Sequence, residues 1–210
     1  MVRIVCISDI HGSHREINLP KGDMLIIAGD IGLEDVHNRL PLWEFNRWLG
    51  EQDFKHIICA AGNHDWFCEK HPEETRAALT NCHYLAHESI EIEGFKIFGS
   101  PISAWFYDWA FNVHRGPAIA AKWAQIPTDT NILVTHGPPY GVLDVTPRMQ
   151  TVGDEDLERR IALLPNLKLM VFGHIHFSYG QLDHGGVKYV NASSCTEDYL
   201  PDNPPIVVDI

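Results

Sequence analysis

Hydrophobic residues in this chain fall in short, nearly unbroken runs separated by turn formers. The runs are "RIVCIS" (3–8), "DMLIIAG" (23–29), "HIICAAG" (56–62), "FKIFGSP" (95–101), "NILVTHG" (131–137), "KLMVFGH" (168–174), "VKYVNAS" (187–193) and "PIVVDI" (205–210). Most are rich in Val and Ile and closed by Gly, Pro, Asp or Asn, which predicts buried strands. "SIEIEG" (89–94) instead alternates apolar and polar and predicts a hairpin with 95–99. Between the runs the period lengthens. "PLWEFNRWLG" (41–50) carries Phe45, Trp48 and Leu49 at helical spacing, which reads as core packing. "DEDLERRIALL" (154–164) places Leu157, Ile161 and Leu164 behind an acidic first turn. "PEETRAAL" (72–79) and "PAIAAKWA" (117–124) open on a proline suited to a first helical turn. Strands alternating with helices, turning antiparallel toward the end, predict a layered α/β fold with helices on both faces. No repeat, low-complexity tract or linker divides the chain, so one domain over 1–210 is expected.

Composition narrows the class. Hydrophobic content of 45% and charged content of 21% are those of a globular chain, and 210 residues suffice for a sizeable core. No apolar run approaches the ~20 residues that span a bilayer. The N-terminal run in "MVRIVCISD" is shorter than the ~7–15 residues of a signal-peptide core, so a cytoplasmic protein without a membrane partner is expected. The five cysteines form no CxxC pair and read as reduced thiols. A net charge of −12 argues against a nucleic-acid polymer as partner. A small anionic substrate stays compatible if the site itself is locally positive.

The chemistry lies just past the strand ends. "IVCIS" is followed by Asp9 and His11, "LIIAG" by Asp30, "IICAAG" by Asn63, His64 and Asp65, "ILVT" by His136, and "LMVFG" by His174 and His176. Open α/β sheets bind ligands outside the carboxyl ends of their strands. Turn propensity explains Asp, Asn and Gly in such places. It does not explain a histidine after three strands with glycine beside each. Imidazole and carboxylate donors suit two divalent transition-metal ions, manganese first, with iron, zinc, nickel or cobalt as alternatives. In extended chain His174 and His176 point to the same side and can each hold a different metal. Asp9 and His11 share that spacing and can chelate one metal. Gly12, Gly29, Gly62, Gly137 and Gly173 are expected to let the backbone close around the ions.

In this order, D-x-H (9–11), GD (29–30), GNHD (62–65), THG (135–137) and GHIH (173–176) resemble the calcineurin-like metallophosphoesterase family. The resemblance implies a two-sheet α-β-β-α sandwich and a binuclear metal centre that cleaves phosphate esters with a metal-activated hydroxide. It also implies that Asp9, His11 and His176 hold one metal, that Asn63, His136 and His174 hold the other, that Asp30 bridges them, and that His64 is the catalytic histidine, which donates a proton to the leaving oxygen or stabilises it as a charged donor. "GSPISAWFYDWAFN" and "THGPPYGVLD" are similar to the metallophosphoesterase-domain-containing (MPPED-like) branch of the class III phosphodiesterases. Some members of that branch lose a histidine of GHIH. Both are kept here, which implies an active enzyme.

Departures also discriminate. The protein Ser/Thr phosphatases of the family carry GDxVDRG, whereas this chain reads "GDIGLED". Leu33 stands where purple acid phosphatases have a metal-binding tyrosine. The acid that orients His64 is then open: Asp65 either does so or caps the following segment. Two divalent ions against Asp9, Asp30 and a hydroxide leave a site of about +1 in an acidic protein. That charge suits a diester monoanion. The expected function is a phosphodiesterase acting on a small, nucleotide-like or other diester. The alternatives are a phosphomonoesterase or dinucleoside-polyphosphate hydrolase and, behind them, a non-catalytic scaffold. His14 is a candidate substrate contact. So are Trp105 and Phe106, in an aromatic segment (105–111) that either stacks a base or packs as a hairpin extension. The oligomeric state is left open.

Overall fold

All eight apolar runs become strands in the computed structural model, which describes residues 1–210. The first part of the chain forms β1 (Arg3–Ile7), β2 (Met24–Ala28), α1 (Leu40–Gly50), β3 (His56–Ala60), α2 (Trp66–Lys70), α3 (Pro72–Ala78) and β4 (His83–Tyr84). The middle forms β5 (Glu88–Ile92), β6 (Phe95–Ser100), β7 (Ser103–Ala104), β8 (Asn112–Val113) and α4 (Pro117–Trp123). The rest forms β9 (Ile132–Thr135), α5 (Glu155–Ile161), β10 (Leu169–Phe172), β11 (Gly180–His184), β12 (Val187–Asn191) and β13 (Ile206–Asp209), with a 3-10 turn at His176–Ser178.

Two sheets are stacked. One has the order β13-β1-β2-β3-β4 and the other β11-β12-β10-β9-β6-β5. The inner strands β1, β2 and β3 run parallel, as do β6, β9, β10 and β12. The expected antiparallel pairings are present: β5 with β6, and β13 with β1.

Alternation along each strand sorts side chains into three apolar layers. Val5 and Ile7 of β1, with Leu25 and Ile27 of β2, face α1 with its Leu42, Phe45, Trp48 and Leu49. Ile4 and Cys6, with Met24 and Ile26, face the other way and meet Leu169, Val171 and Val190 of the second sheet. Met170 and Phe172 then pack on Trp123 of α4 and Leu157 of α5. This is a helix–sheet–sheet–helix sandwich, and both sheets are covered on both faces, which is why their strands read as unbroken apolar runs.

Elements absent from the expected set are short or lack a hydrophobic signal, and α2, though it buries Phe67 and Cys68, is only five residues long. β11 ("GQLDH") is an exposed edge strand paired only with β12. β4, β7 and β8 are two residues each. All five cysteines are free, as expected. No helix is long and apolar enough to cross a membrane.

Candidate metal centre

The carboxyl ends of β1, β2, β3, β9 and β10 converge at one end of the sandwich. Two ligand groups result. Donor atoms of Asp9, His11 and His176 lie within 4.8 Å of one another, and those of Asp30, His136 and His174 do the same. Asp30 sits between the groups, with Oδ2 3.3 Å from His136 Nε2 and 3.8 Å from His11 Nε2. Asn63 Oδ1 is 2.8 Å from His136 Nε2. All seven candidate ligands are thus brought together.

The local chemistry fits metal ions. Both ring nitrogens of His11 are buried without any hydrogen-bond partner. A buried polar atom left unpaired costs about 1–3 kcal/mol, so this ring calls for a ligand. Backbone carbonyls hold the far side of two other imidazoles: His136 Nδ1 lies 3.0 Å from Ala28 O, and His176 Nδ1 lies 2.9 Å from Thr196 O. Each contact fixes the ring and directs Nε2 at the carboxylates. Asp9 is held in turn by Ser193 Oγ, which donates to Oδ2 at 2.8 Å, and by the His174 amide.

The backbone here is unusual. Asp9, His11, Asp30 and His174 have φ of 49°, 45°, 50° and 70°. Non-glycine residues seldom adopt such values, and clusters of them mark sites where the fold imposes a geometry. This corrects the reasoning about the paired histidines. His174 and His176 do not lie in extended chain, because β10 ends at Phe172 and the chain turns left-handed at His174 before the 3-10 turn. They still enter different groups. Close approach by glycine is also narrower than expected. A Cβ at Gly62 would stand 2.3 Å from Asp30 Oδ1, and one at Gly173 2.0 Å from Asp9 Oδ2. At Gly137 it would make an ordinary contact at 3.6 Å, and at Gly12 it would meet nothing.

His64 stands beside these groups. Its Nδ1 lies 3.0 Å from Glu34 Oε1, its ring packs on Trp109 with centroids 4.2 Å apart, and its amide donates to Asp30 Oδ1 at 2.8 Å. The orienting acid is therefore Glu34, which lies inside the variant "GDIGLED" stretch. Asp65 does neither of the two things expected of it. It makes no side-chain cap to α2. Its buried carboxylate accepts from the amides of Gly62, Ile31, Gly32 and Leu33, tying the loop after β2 to the loop after β3. Burial, with the Asp30 charge, pushes its carboxyl up to about 6, while the amides of Gly62, Ile31 and Leu33 favour the ionised form.

A cavity of about 620 Å³ opens onto the groups, lined by Asp30, Asn63, His64, His174 and His176. Trp105 and Phe106 line it and are exposed at 45% and 59%, whereas Phe111 of the same segment packs against the first apolar layer, so only the front of the segment is open to a ligand. His14 does not line it. Its ring packs on Phe45 and Trp48 beside α1, because the chain leaves the site after Gly12. Sequence reasoning missed Tyr199, which lines the cavity with its ring 4.7 Å from that of His11 and its φ at 59°. It sits in a turn-rich segment with no motif to flag it.

Charge in the metal-free site has a measurable consequence. Burial disfavours every charged form here. Despite it, contact with His176 and the charges of His136 and His11 hold the Asp9 carboxyl well below the usual range. Asp30, buried but paired with His136, is held at about 2. The carboxylates in return outweigh burial and raise His136 to about 9 and His176 to about 9, whereas burial, with the His136 charge, lowers His174 to about 4. At a pH of about 7.5, His136 and His176 are then protonated, and a metal needs them neutral, so loading should release about two protons per chain from these rings, beside the one released when a metal-bound water ionises. The release from the rings should fade as pH rises through the imidazole values. Calorimetry in buffers of different ionisation enthalpy reads this number; release of no more than about one proton per chain near neutrality would contradict the assignment of these two ligands.

Comparison with known proteins gives a consistent picture. A family profile described as calcineurin-like phosphoesterase matches residues 2–178. The chain is 40% identical over 232 residues to Metallophosphoesterase domain-containing protein 1 of Homo sapiens, covering 99% of this chain and 71% of that protein. The Mus musculus protein of the same name gives the same values. UPF0046 protein T07D4.2 of Caenorhabditis elegans is 33% identical over 243 residues, covering 100% of this chain and 60% of that protein.

Proposed function

The chain belongs to the calcineurin-like phosphoesterase family, a family of metal-dependent phosphoester hydrolases, and on that premise we propose that it is a phosphodiesterase acting on small diesters, with manganese as its metal. Asp9, His11 and His176 would hold one ion and Asn63, His136 and His174 the other, with Asp30 placed between the two groups. Bound there, two divalent ions activate water and offset phosphoryl charge.

The residues of the chain supply the rest. His64, oriented through Nδ1 by Glu34, presents Nε2 for a proton to the leaving oxygen. Trp109 packs on one side of the ring and limits its rotation. Trp105 and Phe106 at the mouth contact the ester groups.

One observation favours a diester over a monoester. Arg115 is the one Lys or Arg lining the cavity, and its guanidinium donates to Gly153 O at 2.7 Å and Val152 O at 2.6 Å. Glu155 and Glu197 line the same cavity. Arg115 is thus turned toward backbone carbonyls, and with Glu155 and Glu197 beside it the lining adds little net positive charge for a monoester dianion beyond the metals, whereas a diester carries one charge fewer. The same acidity argues against a long polyanionic strand as substrate.

The test compares bis(4-nitrophenyl) phosphate with 4-nitrophenyl phosphate on manganese-loaded protein at one pH. Higher kcat/KM for the diester is expected. A monoester preference of about tenfold or more, some 1.4 kcal/mol in transition-state binding, would transfer the assignment to phosphomonoesterase.

A further inference from the structure

Tyr199 occupies a position that its own backbone disfavours. The loop after β12 makes a turn over residues 196–199, in which the Tyr199 amide donates to Thr196 O at 2.9 Å and the Thr196 amide donates to Leu200 O at 2.8 Å. The chain leaves this turn left-handed, with φ of 59° at Tyr199. Glycine fits such a position without steric cost, and a bulky side chain there is an outlier. Burial does not offset the strain, because Tyr199 stays 53% exposed. A residue held against its backbone preference, and not for the core, points to a task at the surface it faces.

That surface is the metal centre. The Tyr199 ring stands T-shaped against His11 and His176, with centroids 4.7 Å and 5.5 Å apart, and its centroid is 6.5 Å from that of His64. It lies against the first ligand group, next to His64, and lines the cavity. The turn is fixed to the same group. Thr196 O, which accepts from the Tyr199 amide, also lies 2.9 Å from His176 Nδ1. Glu197 Oε1 accepts from the Phe177 amide at 2.8 Å. At the root of the loop, the Ser194 amide donates to Ser8 O at 2.7 Å and the Cys195 amide to Asp9 O at 3.3 Å. Tyr199 is thus held by the same contacts that hold the ligands.

Its hydroxyl is uncommitted. Tyr179 donates its hydroxyl to Pro204 O at 2.7 Å, whereas the Tyr199 hydroxyl has no partner in the fold. A phenol keeps its proton at neutral pH and donates. Glu155 and Glu197 line the cavity as acceptors, and the Arg115 guanidinium is turned toward backbone carbonyls. A neutral donor beside the ligand groups therefore complements an anion without adding charge.

We propose that Tyr199 is a substrate-contacting residue, whose phenol donates a hydrogen bond to a phosphoryl oxygen seated at the Asp9, His11 and His176 group. The proposal rests on the phosphoester chemistry of the family and holds for a diester and a monoester alike. Tyr199 lies beyond residues 2–178, the stretch matched by the family profile, so it is not one of the shared motifs.

The test separates the hydroxyl from the ring and the ring from the fold. Tyr199→Phe and Tyr199→Gly are loaded with manganese and freed of excess metal, and metal content, melting temperature, inorganic phosphate affinity by calorimetry, and kcat/KM for bis(4-nitrophenyl) phosphate are measured. A hydrogen bond to a charged group is worth roughly tenfold to a hundredfold in binding, so Tyr199→Phe should lose that much in phosphate affinity and in kcat/KM. Its metal content should equal that of the parent. Tyr199→Gly, which relieves the turn, should melt no lower than the parent and lose at least as much affinity as Tyr199→Phe. Phosphate affinity of Tyr199→Phe within about threefold of the parent would overturn the contact. Metal loss in Tyr199→Phe would also overturn it, by making the phenol part of the metal site. A Tyr199→Gly protein that melts well below the parent would show that Tyr199 is kept for the fold, which overturns the argument from strain. Weakened phosphate binding in Tyr199→Phe, with no diester turnover even in the parent, would uphold the contact and overturn the phosphodiesterase reading instead.

Discussion

His64→Ala is expected to lower turnover by roughly 10²–10⁴-fold while the metal content stays that of the parent protein. His64 is held by Glu34 and Trp109 rather than buried among the carboxylates of the two groups. Its contribution to Asp30 comes from the backbone amide, which alanine keeps. The loss should therefore appear in kcat and not in metal binding. Substrates with good leaving groups should suffer least, because they need the least help from an acid. His11, Glu34 and His64 also lie close enough to form a third candidate group, so elemental analysis of the variant is the decisive companion measurement. Turnover within about threefold of the parent would remove His64 from the reaction, and loss of metal would make it a ligand instead.

Gly62→Ala is expected to weaken metal binding by at least ~10–100-fold, the range seen when the partners that orient a metal ligand are removed. The added Cβ would stand 2.3 Å from Asp30 Oδ1, 2.4 Å from the Asp30 amide nitrogen and 2.8 Å from His136 Cε1. Two of those atoms belong to ligand side chains and the third to the backbone, so no flexible side-chain tip can give way. Asp30 is the carboxylate between the groups, and displacing it affects both. Gly137→Ala is the control, since its Cβ would meet Ser103 Cβ at an ordinary 3.6 Å. A chelator competition titration reads both variants. Equal affinities would show that the close approach at Gly62 is not needed for the site.

The strands and the ligand set were legible because each rests on a local signal. An apolar run closed by glycine marks the strand, and the residue after it marks the site, as at "LIIAGD" and "ILVTHG". Asp9 and His176 lie 167 residues apart, yet each follows its own strand, so the sandwich alone is enough to bring them to 3.2 Å. What stayed hidden depends on contacts that leave no local trace. Glu34 looks like any exposed loop acid until β2 and β3 set it beside His64. Asp65 looks like a helix cap, but four amides from two loops converge on it. His14 is near the first ligands in sequence and is drawn away by Phe45 and Trp48. Tyr199 returns to the site only through the loop after β12, where Thr196 O holds His176.

The paired metal site is the centre of this account, and metal stoichiometry tests it most directly. The protein is stripped with chelator, reloaded in manganese, freed of excess metal and analysed for metal against protein concentration. Seven donor residues in two adjoining groups predict about two ions per chain, with Asp30→Asn lowering the number. A content near zero in the reloaded parent protein would contradict the binuclear site and the hydrolysis built on it.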